Sequence, residues 1–265
     1  MIVDNDLHIH SRLSRCSRDP EQTAAAILQY AKDNGLKTIC LTDHFWDEAL
    51  PCPSNWYATQ NYAHILQAKP LPQAEGIRFL FGCETDMDKD LRIGVSPEKY
   101  DLFDFIIIAT THFHMKSLSG FTQETTTAER VDLWLKRLEA LLSANLPFHK
   151  VGIAHLTCRL IAPTEEEMLA VLEALPEAEL QRLFTKAAQL GAGIELNASD
   201  MVFPEEEQET ILRIYRIAKD CGCKFYFGSD AHHPAELEAV KAVFQKAAEL
   251  LQLTEADKFL LGGTL

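Results

Sequence analysis

Short apolar runs and segments with helical spacing alternate along the whole chain. Runs typical of short strands lie at 2–9, 37–41, 77–81, 105–109, 151–154, 193–196 and 224–227. Helices are predicted between them, one beginning at Asp19-Pro20-Glu21 and stopping near Gly35, and others at 57–67, 126–142, 164–174, 177–190, 205–220 and 234–250. Regular alternation of strands and helices indicates a parallel α/β fold.

The length selects one architecture among the parallel α/β folds. The chain has 265 residues, and a single (β/α) barrel has about 250. A doubly wound open sheet is the alternative, disfavoured because no glycine-rich phosphate loop follows the first strand. We therefore predict a single domain over residues 1–265 with a TIM-like barrel.

Composition and charge narrow the choice of compartment and partner. With 47% hydrophobic and 24% charged residues, the chain has an ordinary globular composition. No apolar run reaches the roughly 18–20 residues of a membrane span, and residues 1–6 do not resemble a signal peptide, so we expect a cytoplasmic protein without membrane contact. The formal charge of −14 disfavours a polynucleotide partner. The sequence leaves the oligomeric state open.

Histidines and carboxylates follow the predicted strands one small group at a time. They are His8, His10, His44, Glu84, His112, His155, Glu195, Asp230 and His232. In a parallel barrel the carboxyl ends of all strands lie on one face, which carries the active site. His8 and His10 are two residues apart on a strand and point to the same side.

This residue set predicts a metal cluster. A single histidine at a strand end is more often a packed or surface residue than a metal ligand. Packing does not explain why histidines recur at the ends of several successive strands. Histidine with Asp and Glu suits zinc, manganese or iron better than calcium. The donors exceed one tetrahedral site, so we expect two or three divalent ions.

The same residues form short motifs that span nearly the whole chain. The motifs are Asp6-x-His8-x-His10, Thr42-Asp43-His44, Gly82-Cys83-Glu84, Thr111-His112, Ala154-His155, Glu195-x-Asn197 and Gly228-Ser229-Asp230-Ala231-His232. Together and in this order they resemble the PHP family, the polymerase and histidinol phosphatase superfamily. In length and layout the chain is similar to the stand-alone histidinol-phosphatase-like members.

The resemblance implies a distorted (β/α)7 barrel with a trinuclear metal site. Carried over by motif, one metal would be held by His8, His10, Glu84 and Asp230. Glu84 would bridge to a second metal held by His112 and His155, and His44 and His232 would hold the third. The family often has another histidine where this chain has Cys16. That cysteine is either a thiolate ligand, which would favour zinc, or a silent substitution that leaves the third site weak.

A metal cluster at the end of a barrel suits phosphate ester hydrolysis, because the ions activate a hydroxide and neutralise the phosphoryl charge. Glu84, Asp230 and His232 are the candidate catalytic residues. Arg15 and Arg159 lie a few residues from proposed ligands and are candidates for holding the phosphate. We expect a phosphatase for a small phosphomonoester, with L-histidinol phosphate, an intermediate of histidine biosynthesis, as the first choice.

Three other functions remain open. The first is a phosphodiesterase or nuclease that acts on nucleotides or short oligonucleotides. The second is a catalytically reduced, metal-binding regulatory domain, which only Cys16 supports. The third is cleavage of C–N bonds on a similar barrel, which is disfavoured because such enzymes usually bridge their metals with a lysine, whereas Glu84 is the bridging candidate here.

Overall fold

Short parallel strands form the centre of the protein, whose structure, a computed structural model, describes residues 1–261. The strands are β1 (Asn5–Ile9), β2 (Thr38–Leu41), β3 (Arg78–Phe81), β4 (Cys83–Asp86), β5 (Ile106–Ala109), β6 (Val151–Ala154), β7 (Gly193–Asn197) and β8 (Lys224–Gly228). They pair in the orders β1-β2-β3 and β4-β5-β6-β7-β8, always with parallel neighbours. Residues 262–265 of the predicted domain lie outside the described part.

The two sheets are joined at Gly82, which separates β3 from β4. β3 pairs with β2, whereas β4 pairs with β5. A Cβ atom at Gly82 would lie 2.5 Å from the carbonyl oxygen of Phe105 and 2.8 Å from the sulfur of Cys40, so only glycine fits. The strand predicted at 77–81 is therefore the first half of a bent strand. The expectation that Glu84 follows a strand was wrong, because Glu84 lies within β4.

The barrel closes between its first and last strands through an irregular seam. The amide of Asp230 donates to the carbonyl of His8 at 2.7 Å, and the amide of His10 donates to the carbonyl of Ala231 at 3.1 Å. Next to them, the amide of Phe227 donates to Oδ1 of Asn5 at 3.2 Å. These bonds take the place of a regular ladder and link the first strand to the last. Because the strands close into a ring, the predicted distorted (β/α)7 barrel in a single domain is confirmed and the open sheet is excluded.

Helices follow the strands on the outside of the barrel. They are α1 (Ala24–Asn34), α2 (Tyr62–Ile65), α3 (Lys116–Ser119), α4 (Thr127–Ser143), α5 (Glu165–Ala174), α6 (Glu177–Leu190), α7 (Gln208–Asp220) and α8 (Val240–Leu250). Except for α3, whose Leu118 packs with Trp46 and Tyr57, the helices contribute their inner faces to one continuous apolar core. Among the described residues, no helix is both long and apolar enough to cross a lipid bilayer.

Three predicted helix boundaries were wrong. Oδ1 of Asp19 accepts from the amide of Glu21 at 2.8 Å and closes a turn, while Thr23 caps α1. An aspartate caps a turn as readily as a helix, so the sequence could not distinguish them. The segment 57–67 is helical only over α2 and a 3-10 turn, Leu66–Ala68. The segment 234–250 divides into a 3-10 turn, Pro234–Leu237, and α8.

The lumen of the barrel is filled by side chains. Tyr226 is buried there with Phe105 and Phe259. Its hydroxyl has no hydrogen-bond partner among the described residues. A Cβ atom at Gly152 would overlap this hydroxyl and would lie 2.6 Å from Cζ of Phe105. The interior is thus a packed core, as expected for a small barrel.

The unpartnered hydroxyl gives a stability prediction. Tyr226→Phe should raise the free energy of unfolding by about 1 kcal/mol, since a buried polar group without a partner costs about 1–3 kcal/mol. Gly152→Ala, which inserts a methyl group beside the same ring, should lower it by about 1–3 kcal/mol. Urea denaturation of both variants measures the effect. A loss of stability in Tyr226→Phe would show that the hydroxyl has a partner.

Candidate metal centre

Side chains from all parts of the barrel converge at the carboxyl ends of the strands. Their donor atoms form three groups, and within each group all donors lie within 4.8 Å of one another. We call them the central group (His8, His10, Glu84, Asp230), the second group (Glu84, His112, His155) and the third group (His10, Cys16, His44, His232). Every metal ligand predicted from the sequence therefore belongs to at least one of the three groups.

Glu84 connects the groups because its two oxygens face different neighbours. Oε1 lies 3.1 Å from Nε2 of His155. Oε2 lies 2.9 Å from Nδ1 of His44 and 3.3 Å from Nε2 of His10. Glu84 is 1% exposed, yet neither its Oε2 nor Nδ1 of His44 makes a well-aligned hydrogen bond with a described residue, although the two atoms are close enough for one. Buried polar atoms are normally paired, so donors that converge without bonding one another fit a cation between them.

Electrostatics in the central group also fit a cation. Nε2 of His8 and Nε2 of His10 lie 3.1 Å apart, and both approach Oδ1 of Asp230, at 3.4 and 3.1 Å. Burial alone would lower the pKa of His10, but Asp230 and Glu84 raise it to about 9. The carboxylates therefore hold protons on buried rings in the metal-free protein, and a divalent ion would take their place.

Outer hydrogen bonds orient the histidines of the central group. Nδ1 of His8 bonds Oε1 of Glu195 at 2.6 Å. Nδ1 of His10 bonds the hydroxyl of Ser14 at 2.8 Å, and that hydroxyl donates to Oδ1 of Asp43 at 2.7 Å. Such partners fix the ring and leave Nε2 directed at the centre.

In the second group, too, hydrogen bonds to Nδ1 orient the histidine rings. Nδ1 of His112 lies 3.0 Å from Oδ1 of Asp86, and Oδ2 of the same carboxylate accepts a hydrogen bond from the hydroxyl of Tyr57. Nδ1 of His155 bonds Oγ1 of Thr111 at 2.9 Å. The sequence placed Glu195 among the acidic residues at strand ends but did not indicate that it orients His8, and it did not single out Asp86. The position of Asp86, two residues after Glu84 on one strand, was the available signal, since alternate residues of a strand share a face.

Backbone geometry at the centre is unusual. His155 and Asp230 have φ angles of 28° and 53°, in the left-handed region that non-glycine residues rarely adopt. A Cβ atom at Gly228 would overlap Oε1 of Glu195 and would lie 2.7 Å from Cβ of His8. Gly228, two residues before Asp230, therefore allows the contact between Glu195 and His8. Strained positions of this kind concentrate at functional sites.

Cys16 is an exposed residue at the edge of the metal centre. Its sulfur is one of the four donors of the third group, with His10, His44 and His232. The thiol is partly shielded from water by surrounding protein atoms, and it faces the negative charges of Glu84 and Asp230. Both effects disfavour a thiolate and raise the pKa of Cys16 well above its ordinary value. A thiolate at this position therefore needs a bound cation, which would remove the proton.

A cavity of about 430 Å³ opens beside the second group and is lined by His112, His155 and Asp230. Arg159 also lines it, and its Nη2 lies 2.8 Å from Oε1 of Glu165. Arg15 is not among the described residues that line this cavity. Its guanidinium donates to the carbonyl of Asn55 at 2.8 Å and holds a surface loop. The structure thus brings one of the two predicted arginines to the cavity beside the donors.

The fold and site define a class of protein, barrels with a cluster of metal donors at the carboxyl ends of their strands. The family model described as PHP domain matches residues 6–199. The chain belongs to the PHP domain family, as its motifs predicted. A protein of Caldicellulosiruptor bescii named as a probable phosphatase is 26% identical over 208 residues, which cover 78% of this chain and 72% of that protein. These findings support the predicted class of enzyme, a hydrolase of the phosphatase type.

A solved structure shows the same fold. The histidinol phosphate phosphatase of Lactococcus lactis, in complex with zinc, L-histidinol and phosphate, matches with a TM-score of 0.57 and 18% identity. The match covers 92% of this chain and 93% of that one. A probable 2-pyrone-4,6-dicarboxylic acid hydrolase of Acinetobacter baumannii matches with a TM-score of 0.48 and 13% identity, over 98% of this chain and 97% of that one.

Proposed function

We propose that this protein is a metal-dependent phosphomonoesterase. The observation that carries the proposal is the sharing of the Glu84 carboxylate between two donor groups beside a cavity. A carboxylate shared in this way suits two ions a few ångströms apart, which is the arrangement of many phosphoryl-transfer sites. Membership in the PHP domain family and the probable phosphatase among its relatives support the same reaction.

The three donor groups would supply the ligands of two or three divalent ions. The central group would hold one ion, Glu84 with His112 and His155 a second, and Cys16 with His44 and His232 a third. Zinc, manganese and iron all suit these donors, and a thiolate at Cys16 would favour zinc. When bound, the ions would lower the pKa of water and neutralise charge on the phosphoryl oxygens.

Residues at the cluster would orient the water and hold the phosphate. Burial opposes ionisation of Asp230, but His8 and His10 hold its pKa well below the ordinary range, so it remains a carboxylate that can orient an attacking water. Burial and His10 lower the pKa of His232 to about 3, which keeps its ring neutral and therefore free to bind a metal ion. Arg159 would face the phosphate from the cavity wall. Glu84, Asp230 and His232 thus remain the proposed catalytic residues.

The cavity supports a small organic phosphate as substrate. Its volume of about 430 Å³ lies in the range of about 300–1,000 Å³ typical of small-molecule sites. Leu160, Met168 and Phe203 supply apolar wall, and Glu165 and Glu207 supply negative charge. L-histidinol phosphate combines a ring with a cationic amine, which suits both surfaces, and the solved neighbour binds L-histidinol and phosphate.

A substrate panel tests the proposal. The metal-loaded protein should release phosphate from L-histidinol phosphate with a kcat/KM at least about 100-fold above that for bis(4-nitrophenyl) phosphate or a short oligonucleotide. The reason is that contacts between the cavity and a leaving group that fits it stabilise the transition state. Preference for a diester would favour a phosphodiesterase instead. A folded, metal-loaded protein without turnover on any phosphomonoester would contradict the proposal and favour a metal-binding regulatory domain.

A further inference from the structure

A buried carboxyl group outside the donor groups lies in the wall of the same cavity. Asp200 follows β7 and is 6% exposed. It lines the cavity together with His155 and Asp230, so the cavity connects it with the metal donors. The metal sets proposed above leave Asp200 without a role.

The two oxygens of Asp200 have different surroundings. Oδ2 accepts three hydrogen bonds, from the amide of Thr157 at 3.2 Å, from its hydroxyl at 3.0 Å and from the hydroxyl of Tyr215 at 3.2 Å. None of the hydrogen bonds among the described residues reaches Oδ1. One oxygen therefore anchors the side chain and the other is left for the cavity.

The surroundings of Asp200 favour a proton on this carboxyl group. Burial raises the pKa of Asp200 to about 6, with a contribution from Glu195, while His155 and the hydrogen bonds of Thr157 act in the opposite direction. The other ionisable groups that face the cavity or Asp200 are His112, Cys158, Arg159, Glu165, Glu207, Tyr215 and Asp230. Among the cavity carboxyl groups, Asp230 stays ionised and Glu165 pairs with Arg159.

We propose that Asp200 is the general acid that protonates the leaving group, an inference that rests on the proposed phosphatase function. The oxygen of a water molecule forms the new bond to phosphorus while the bond from phosphorus to the ester oxygen breaks. The electron pair of the broken bond goes to the ester oxygen, which takes the proton from Oδ1 of Asp200 and leaves as an alcohol. Asp200 is left as a carboxylate, and the proton lost by the attacking water restores it through solvent.

The need for such an acid depends on the leaving group. A basic alkoxide leaves slowly without a proton, and general acid catalysis contributes about 100- to 10,000-fold in such reactions. A weakly basic leaving group such as 2,4-dinitrophenolate leaves without help, whereas the more basic unsubstituted phenolate still gains from a proton. The dependence of rate on leaving-group basicity therefore separates a proton donor from a residue that only shapes the cavity or binds a cation.

The experiment compares phenyl phosphate with 2,4-dinitrophenyl phosphate, which share an aryl ring, carry no cation and differ in leaving-group basicity. In the metal-loaded Asp200→Asn variant, kcat/KM for phenyl phosphate should fall at least about 100-fold, and that for the dinitrophenyl ester should stay within about threefold. Glu206→Gln, which neutralises an exposed carboxylate outside the cavity, is the matched control.

The outcomes separate the two proposals. A wild-type protein that hydrolyses neither ester nor L-histidinol phosphate would contradict the phosphatase function itself. An equal loss on both esters, or no loss on phenyl phosphate, would overturn the role of Asp200 and leave the phosphatase function standing. Metal content equal to that of the wild type is required for each comparison.

A second variant protects the test if Asp200→Asn does not fold. Thr157→Val removes one donor to Oδ2 and should raise the pKa of Asp200. The acid form would then persist to higher pH, so the alkaline limb of the pH profile for phenyl phosphate should move upward. The profile for the dinitrophenyl ester should not move. An alkaline limb at the same pH in both proteins would overturn the proposal.

Discussion

Glu84→Gln is expected to lower kcat/KM for L-histidinol phosphate by at least about 1,000-fold, because metal ions supply several kcal/mol of transition-state stabilisation. Glu84 belongs to two donor groups, and its oxygens lie 2.9 Å from Nδ1 of His44 and 3.1 Å from Nε2 of His155. An amide keeps the shape of the side chain but loses its negative charge and one acceptor oxygen. Phosphate release and metal content measure the two effects together.

The control for this variant is Glu177→Gln, an exposed glutamate in the first turn of α6. It should keep both metal content and activity. A Glu84→Gln protein that retains all its metal and loses less than about tenfold in kcat/KM would exclude Glu84 as a bridging ligand.

Removal of metal should abolish activity and also destabilise the protein. Chelation leaves Oε2 of Glu84 and Nδ1 of His44 buried without a well-aligned hydrogen bond, and only protons on buried rings such as His10 then balance the carboxylates. A ligand at 1,000 times its Kd contributes about 4 kcal/mol to stability, which corresponds to a Tm shift of about 8–16 °C for a protein of this size. EDTA treatment with thermal unfolding and phosphate assays measures both effects, and zinc or manganese should reverse them.

Metal analysis during this titration also tests the third group. Cys16→Ala should bind one ion fewer than the wild type if the thiolate is a ligand, and the same number if the substitution is silent. An EDTA-treated protein confirmed to be free of metal but fully active would contradict the metal-dependent mechanism as a whole.

Much of the site could be predicted from the sequence because the metal-binding residue types lie at the strand ends, which this fold brings together. His8, His112 and His155 lie at the carboxyl ends of different strands, and a parallel barrel brings those ends to one face. The order of the strands did not need to be known, since every strand end reaches that face. For this reason the predicted ligands are found together although they are distributed over residues 8–232.

The remaining features depend on atoms that no local pattern reveals. The hydroxyl of Ser14 is placed by a loop, and the sequence does not show that it lies between His10 and Asp43. The turn at Asp19 and the change of partner at Gly82 are decided by tertiary contacts rather than by propensity. Asp200 was missed because buried carboxyl groups are recognised by their surroundings, which the sequence does not display.

The seam between β1 and β8 has a consequence for the biosynthesis of the enzyme. It joins residues from opposite ends of the chain, such as Asn5 and Phe227, which are 222 positions apart. The central donor group contains two residues from β1 and its edge, His8 and His10, and one that follows β8, Asp230. A chain still emerging from the ribosome therefore cannot complete this set until its last strand has been synthesised. Full metal loading is a late event in maturation, and a chain truncated before Asp230 would lack a complete centre however well its first strands fold.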